Sequence, residues 1–176
     1  MLPPPLNFMK WVEENKADLK PPVGNKQVYA DGDFIIMATG GPNNRKDYHD
    51  DPGEEFFFQI KGDMVLRVME GGKPRDIPIR EGEMFLLPAH MHHSPQRKAD
   101  TVGLVLERQR KAGELDGFVW YCDKCNTKLH EEFLPLQSIV KDLPPLFDRF
   151  WNNEKARTCT ACGHIMPLPE NRKKAG

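Results

Sequence analysis

The sequence lacks a long apolar run, a surplus of one charge and any internal repeat. No stretch approaches the roughly 18 to 20 apolar residues of a membrane-spanning helix. The N-terminal segment contains prolines and charges before any apolar run of signal-peptide length. We therefore expect no membrane partner and a location in the cytosol. Basic side chains (25) and acidic side chains (26) give a net charge of -1, which is too small to attract nucleic acid.

Cysteine is scarce, and all four cysteines lie in two Cys-x-x-Cys pairs, Cys122 with Cys125 and Cys159 with Cys162. Without a secretory signal, this pattern indicates metal ligation rather than disulfides. Two residues between ligands let one tight turn aim both sulfurs at one ion, and two such turns complete a tetrahedral cage. Because four thiolates leave no open coordination position, we expect a structural zinc or iron ion. A redox-active iron and a zinc ribbon for nucleic acid are the alternatives, and the missing basic surplus disfavours the ribbon.

Turn-forming residues are plentiful, since 14 glycines and 16 prolines fall between short apolar runs. Eight such runs between residues 27 and 121 are rich in aromatic and β-branched residues, which favours strands. This regular spacing predicts an all-β antiparallel sandwich or barrel. The predicted strands are QVYA, DFIIMAT, EEFFFQI, DMVLRVM, RDIPIR, EMFLLP, TVGLVLE and GFVWY.

Two different segments flank this β region. Before it, Asn7 caps a predicted amphipathic helix, which we expect to pack on the main body and to end at two prolines. Its apolar residues and these prolines are Phe8, Trp11, Val12, Leu19, Pro21 and Pro22. After it, Pro144-Pro145 break a mixed segment, LFDRFW predicts a short helix, and the basic tail PENRKKAG is expected to be disordered. We therefore divide the chain into a domain of residues 1–121 and a metal-tied module of residues 122–176.

A second candidate metal site consists of His49, Glu55 and His93. Glu55 opens a predicted strand, His49 lies in the preceding turn, and His93 follows another strand after a proline-led bend. Two imidazoles and one carboxylate can occupy one face of an octahedral metal and leave positions open for chemistry. The alternative is that these are ordinary hydrogen-bonded side chains. We adopt that interpretation for His90, His92, His130 and His164, with His92 as the first substitute if His93 is not a ligand.

The spacing around these residues resembles two motifs of the cupin family. The first is His49, five residues, Glu55, six residues and Gly62, although Asp51 stands where many cupins have a second histidine. The second runs from Gly82 through Pro88 to His93. There, His90 and Arg97 replace the usual glycine and asparagine. The resemblance implies a cupin double-stranded β-helix, a jelly-roll barrel, with three metal ligands instead of four.

More narrowly, residues 7–165 resemble the 3-hydroxyanthranilate 3,4-dioxygenase family through GGPNNRKDYH, EEFFFQIKGDM, FLLPAHMHHSPQR and ADTVGLVLERQR. The cysteine pairs resemble the rubredoxin-like site of its bacterial and fungal branch. The resemblance implies Fe(II) as cofactor, with 3-hydroxyanthranilate and O2 as partners. It further implies 2-amino-3-carboxymuconate semialdehyde as product, leading to quinolinate and NAD. The implied roles are iron ligation by His49, Glu55 and His93, catalysis by Arg45 and Glu107 with O2 near Arg45, and substrate contacts by Glu55, Arg97 and Glu107.

The residues themselves support several of these roles. Arg97 lies four positions after His93, so an extended chain places both side chains on one side, where the guanidinium could clamp a carboxylate. Glu107 shares a face with apolar residues and needs a partner there, for which we expect Arg45 and Arg97. A purely structural ion-pair network of these three residues is the alternative.

Three other functional classes stay open: another cupin enzyme, a non-catalytic binding cupin, and an electron-transfer protein that depends on the cysteines. Strands that are apolar on both faces, as at Phe56, Phe57 and Phe58, also predict a homodimer, because both faces of such strands are covered.

Overall fold

The fold consists mainly of β-strands. The computed structural model describes residues 4–21, 24–30 and 32–172, and these contain eleven strands. The strands are β1 (Asn25–Gln27), β2 (Phe34–Gly40), β3 (Asp47–Asp50), β4 (Glu55–Lys61), β5 (Met64–Glu70), β6 (Lys73–Ile79), β7 (Met84–Leu87), β8 (His93–Arg97), β9 (Val102–Arg108), β10 (Asp116–Tyr121) and β11 (Lys128–Leu134).

The strands form two antiparallel sheets, one in the order β1-β2-β9-β4-β7 and the other in the order β11-β10-β3-β8-β5-β6. One apolar cluster joins them: Phe57 and Val105 come from the first sheet, whereas Leu66 and Val68 come from the second. The sheets therefore face each other across a shared core, and the predicted all-β antiparallel barrel is confirmed. No helix among the residues described is long and apolar enough to cross a membrane.

Three of these strands were not predicted, namely β3, β8 and β11. The prediction that His49 lies in a turn is therefore wrong, because His49 lies within β3. His93 does follow β7 after a bend that begins at Pro88, as predicted, but it also opens the unpredicted strand β8. Both strands carry polar side chains toward the barrel interior, so they lack the apolar alternation that identifies a strand in a sequence. Their buried residues instead include Asp47, Asp50 and Arg97.

The N-terminal helix α1 (Phe8–Glu14) begins as predicted, with the Asn7 side chain accepting a hydrogen bond from the Lys10 backbone N–H at 3.0 Å. It ends earlier than predicted, at Glu14, because the Asn15 backbone N–H already closes the last turn. Pro22 lies outside the described residues. Val12 packs with Leu19 and Ala38 against the first sheet, which confirms the predicted contact with the main body.

The C-terminal region is more regular than predicted. Helix α2 (Ile139–Trp151) runs through Pro144 and Pro145 instead of breaking there, and α3 (Glu154–Arg157) follows. Proline is compatible with helical φ, and the packing of Leu146, Phe150 and Trp151 against β10 offsets the missing backbone donors.

The tail is also partly ordered, because a short 3₁₀ helix (Glu170–Arg172) follows and Arg172 donates to Asp148 at 2.5 Å. Residues 173–176 of the predicted disordered tail lie outside the described residues. The division of the chain after residue 121 stays a prediction, although β11 extends the second sheet beyond it.

Candidate active site

His49, Glu55 and His93 converge inside the barrel. His49 and His93 are paired across β3 and β8, and their ring centroids lie 5.2 Å apart. Glu55 reaches them from the opposite sheet, with its Oε1 atom 2.9 Å from His93 Nε2 and 3.2 Å from His49 Nδ1. Glu55 and His93 are buried, and His49 is partly buried. The structure thus brings the three predicted ligands together in the arrangement that a two-histidine, one-carboxylate metal site requires.

The donor atoms of these three residues fit a metal ion. Glu55 Oε1 is buried and has no hydrogen-bond partner among the described residues, although one nitrogen of each imidazole lies close to it. The ring nitrogen of each histidine that points away from Glu55 is hydrogen-bonded to another group. His93 Nδ1 donates to the Met91 carbonyl at 2.9 Å, and His49 Nε2 donates to Asp116 Oδ1 at 2.8 Å. Such outer hydrogen bonds fix the orientation of a metal-binding histidine and leave its other nitrogen free for the ion.

Carboxylates are concentrated around this point. Asp51, Glu55, Glu107 and Asp116 are all buried. Glu55 and Glu107 are direct cross-strand partners on β4 and β9, an arrangement of like charges that is destabilising without a cation nearby. A divalent ion bound by His49, Glu55 and His93 would offset this negative charge, so the charge distribution also fits a metal.

Burial together with the concentration of carboxylates shifts the pKa values of two residues in the site, His49 and Glu107. Burial lowers the pKa of His49, but the hydrogen bond to Asp116 and the adjacent carboxylate of Glu55 outweigh this effect and raise the pKa to about 10. Burial raises the pKa of Glu107 to about 8, assisted by a hydrogen bond with Asp51 and by the charge of Glu55. Without an ion, the site therefore favours a proton on Glu107 and a positive charge on His49.

Arg97 is a buried cation that extends into the barrel from the same strand as His93, as predicted from their spacing. Its Nη1 atom donates to Gln59 Oε1 at 3.2 Å. No carboxylate of the described residues forms an ion pair with it. Burial and the nearby charge of Arg45 lower the pKa of Arg97 to about 10. A buried guanidinium without a counter-ion is suited to binding an anionic group of a ligand.

The predicted partners of Glu107 are wrong. Arg45 pairs instead with Asp47, with Nε 3.1 Å from Oδ2, and Arg97 bonds to Gln59. Glu107 accepts a hydrogen bond from Arg110 at 3.0 Å. Sequence reasoning did not identify Arg110 because nothing in the charged run ERQRK distinguishes it from its neighbours. Sequence spacing also gave no indication of Gln59, whose inward direction depends on the register of β4.

A cavity of about 860 Å³ opens beside Glu107 and Arg110. Ile35 and Met37 of β2 line it on one side, while residues 109–114 and residues 135–139 line other parts. Ile35 and Met37 were not predicted as site residues, although alternation along β2 places them on one face. None of the three candidate ligands lines this cavity, and Glu107, the cross-strand partner of Glu55, is its nearest link to them.

The four cysteines form a separate cluster, and each is a free thiol. The Sγ atoms of Cys122 and Cys162 lie 3.7 Å apart, and those of Cys125 and Cys159 lie 3.5 Å apart. A tetrahedron with metal–sulfur bonds of about 2.3 Å has edges of about 3.8 Å, so these separations fit one shared ion.

The two cysteine turns have matching backbones. The carbonyl of Cys122 accepts from the N–H of Asn126, and the carbonyl of Cys159 accepts from the N–H of Gly163, both at 2.9 Å. This matches the prediction from sequence of two similar metal-binding turns.

Comparison with known proteins identifies the family. The model of the 3-hydroxyanthranilic acid dioxygenase family matches residues 1–151. A curated 3-hydroxyanthranilate 3,4-dioxygenase from Xanthomonas euvesicatoria pv. vesicatoria (strain 85-10) is 56% identical over 170 residues, which is 97% of this chain and 96% of that protein. The protein of that name from Ruegeria pomeroyi is 54% identical over 165 residues, covering 93% and 92% of the two chains.

Among solved structures, protein NMB1881 from Neisseria meningitidis aligns with 60% of this chain and 100% of its own, at 18% identity and a TM-score of 0.49. The family model and the curated relatives carry the assignment, since each covers well over half of the sequence. The chain belongs to the 3-hydroxyanthranilic acid dioxygenase family.

Proposed function

We propose that this protein is a ring-cleaving dioxygenase that converts 3-hydroxyanthranilate and O2 to 2-amino-3-carboxymuconate semialdehyde. The observation that carries the proposal is the juxtaposition of His49, Glu55 and His93 with the buried guanidinium of Arg97, which has no carboxylate partner among the described residues. The names of the curated relatives support the choice of substrate. The product would close to quinolinate and supply NAD synthesis from tryptophan.

His49, Glu55 and His93 would hold the metal, for which we propose Fe(II). When bound there, Fe(II) would supply open coordination positions and redox chemistry for O2. Asp116 and the Met91 carbonyl keep the two imidazoles turned toward Glu55. The protein would thus provide orientation and charge, while the hard chemistry depends on the cofactor.

Arg97 would bind the carboxylate of 3-hydroxyanthranilate through its guanidinium fork. Its position on β8, four residues from His93, fixes the distance between the carboxylate and the metal ligands. Gln59 holds one edge of the guanidinium, which leaves other donors for the ligand. Two nearby arginines, Arg45 and Arg97, would also attract an anionic substrate.

Glu107 would contact the substrate next to Glu55 and exchange a proton with its hydroxyl or amino group. Because burial raises its pKa to about 8, Glu107 is suited to holding a proton at neutral pH and releasing it when charges nearby change. Arg45, held by Asp47, would lie on the side where O2 enters. These two roles follow the family resemblance and the positions of the side chains.

The test is to reconstitute the protein with Fe(II), add 3-hydroxyanthranilate in air, and follow O2 uptake together with the ring-opened chromophore. We expect one O2 consumed per substrate. His49→Ala should abolish open-site metal binding and turnover, whereas Arg97→Ala should chiefly raise KM. Absence of O2 uptake by the reconstituted wild-type protein would rule out the proposed reaction.

We propose that the cysteine cage of Cys122, Cys125, Cys159 and Cys162 holds a second ion, either iron or zinc, with a structural role in the module of residues 122–176. Elemental analysis of protein purified without added metal distinguishes the two ions. Iron bound by four thiolates would also give strong visible absorption, which zinc does not give because its d shell is filled.

We propose further that the protein is a cytosolic homodimer that uses the outer face of the first sheet. Met84 and Leu86 on β7 are exposed by 67% and 54%, and Phe34 on β2 by 62%. The outward residues between them are apolar too: Ile36, Phe56, Phe58, Leu104 and Leu106. A two-fold pairing of this face would cover a mainly apolar surface in both copies. Light scattering should show a dimer that Leu86→Lys dissociates, and a monomeric wild type would contradict the proposal.

A further inference from the structure

Arg110 lies where buried carboxylates from three parts of the chain meet. Its Nη2 atom is 2.7 Å from Asp51 Oδ2, 3.0 Å from Glu107 Oε2 and 2.6 Å from Asp116 Oδ1. Its Nε atom also donates to Asp116, at 3.0 and 2.9 Å. The side chains of the three carboxylates are exposed by 3%, 6% and 0%, so each depends on this one guanidinium or on its neighbours for charge compensation.

Each of two partners leads to a different part of the candidate active site. Asp116 is hydrogen-bonded to His49 Nε2, so it sets the orientation of a candidate metal ligand. Glu107 pairs with the candidate ligand Glu55 across neighbouring strands of the sheet and also lines the adjacent cavity. Arg110 is therefore hydrogen-bonded directly to Glu107, the candidate substrate contact. It is linked to His49, a candidate metal ligand, through one intermediate residue, Asp116.

The planar guanidinium is suited to this position. Arginine presents five donors in a fixed fork, whereas lysine carries one compact ammonium group that cannot hold both Asp116 oxygens and Glu107 in the same geometry. The residue is also fixed from the backbone side, since its Nη1 atom donates to the Arg108 carbonyl at 3.1 Å.

We infer that Arg110 is a positioning residue that couples the two halves of the active site, orienting His49 for the metal through Asp116 and Glu107 for the substrate directly. This inference rests on the proposed function for the substrate half, while the metal half needs only that an ion binds the three ligands. Loss of the Arg110 fork should therefore weaken metal binding and substrate binding together.

The experiment compares Arg110→Lys with two variants that each affect one half. The open-site metal is removed from folded protein whose cysteine cage stays loaded, and Co(II) is titrated while its visible ligand-field bands are followed. We expect Arg110→Lys to lower Co(II) affinity by up to roughly 10- to 100-fold and to alter the bands, because Asp116 would lose the guanidinium that orients it and changes to such outer partners of metal-binding histidines have effects of this size. With Fe(II), the same variant should also raise KM for 3-hydroxyanthranilate.

The single-half variants should separate these effects. Asp116→Asn should lower Co(II) affinity with KM little changed, whereas Glu107→Gln should raise KM with Co(II) affinity preserved. The matched control is Arg108→Lys, because Arg108 lies only two residues before Arg110, at the end of β9, but pairs with the more exposed Glu114 at 2.5 Å. This control should leave both quantities unchanged.

If Arg110→Lys does not fold, Arg110→Ala supplemented with guanidinium ions replaces it, and the added ion should restore part of the Co(II) affinity. Unchanged Co(II) affinity and KM in a folded Arg110→Lys protein would overturn the inference, as would equal effects in Arg108→Lys. Failure of the proposed function is distinguishable, because it would abolish wild-type turnover without affecting the Co(II) comparison.

Discussion

Gly103 leaves the space that the Arg97 guanidinium occupies. A Cβ atom at this position would lie 2.7 Å from Arg97 Nη1 and 2.9 Å from Gln59 Oε1. Both contacts are shorter than van der Waals packing allows, so the Arg97 side chain would have to move. The absence of a side chain at residue 103 is therefore part of the candidate carboxylate-binding site.

We predict that Gly103→Ala raises KM for 3-hydroxyanthranilate by roughly tenfold, which corresponds to about 1.4 kcal/mol of lost binding. Steady-state kinetics measures this change. Metal content should stay at the wild-type value because Gly103 does not contact the three candidate ligands. An unchanged KM would show that Arg97 does not bind the substrate in the position described here.

Asn126 adopts a left-handed backbone conformation in the first cysteine turn, with φ of 61°, where the second turn has Gly163 with φ of 70°. Asparagine and glycine tolerate this region, whereas β-branched residues do not. We predict that Asn126→Val lowers the free energy of unfolding by about 1 to 2 kcal/mol. The matched variant Asn126→Gly should stay within about 1 kcal/mol of wild type. Denaturant unfolding of both proteins measures the difference, and equal losses would contradict this explanation.

At the scale of secondary-structure elements, helix α2 packs against β10 and so connects the C-terminal region to the barrel. Its Phe150 ring stacks on Trp120 of β10 at a centroid distance of 4.3 Å, and both side chains are buried. The adjacent Phe118 on the same strand stacks on His49 at 5.1 Å. The packing of α2 therefore supports the strand behind a candidate metal ligand.

We predict that Phe150→Ala lowers the free energy of unfolding by roughly 3 to 5 kcal/mol, the cost typical of removing a buried aromatic ring. Phe133→Ala is the matched control, since Phe133 on β11 is exposed by 47%. It should cost about 1 kcal/mol or less. Chemical denaturation followed by tryptophan fluorescence measures both values, and comparable losses would show that α2 does not pack as described.

Strand prediction succeeded for elements whose apolar residues alternate or fill both faces, such as β4 and β9. It failed for β3 and β8 because their inward side chains serve the candidate site and are polar. The predicted break at Pro144 and Pro145 was also wrong, because α2 continues through both prolines. Prolines are a strong local signal for a break, but the apolar packing of Leu146 and Phe150 outweighs that signal.

At the scale of the whole molecule, the two candidate metal sites lie in different structural contexts. The open site joins strands of both sheets, whereas the cysteine cage joins the turn after β10 to the turn after α3. An ion bound by the four cysteines would therefore hold the C-terminal region together without adding ligands to the barrel interior.

We predict that Cys125→Ser lowers thermal stability while turnover with Fe(II) is largely preserved. Loss of one thiolate weakens the cage, and a bound structural ion contributes directly to the free energy of folding. Calorimetry and steady-state kinetics on the same preparation measure the two effects, with open-site metal content as the control. Loss of turnover in folded Cys125→Ser protein would show that the two sites are not separate.

The sequence by itself determined the all-β architecture and the two similar cysteine turns, and it indicated His49, Glu55 and His93 as candidate ligands. These depend on local spacing: alternation defines strands, and two residues between cysteines define a metal-binding turn. Resemblance to a known family added Arg45, Arg97 and Glu107, which spacing alone could not connect.

Only the tertiary structure decided how these residues are paired. Glu107 meets Arg110 and not Arg45 or Arg97, because the end of β9, the residue after β3 and the start of β10 meet at one point. Arg97 stays without a carboxylate partner among the residues described, since Gln59 and Gly103 surround its guanidinium. Such contacts depend on the register between strands far apart in the chain, and the sequence carries no local signal for that register.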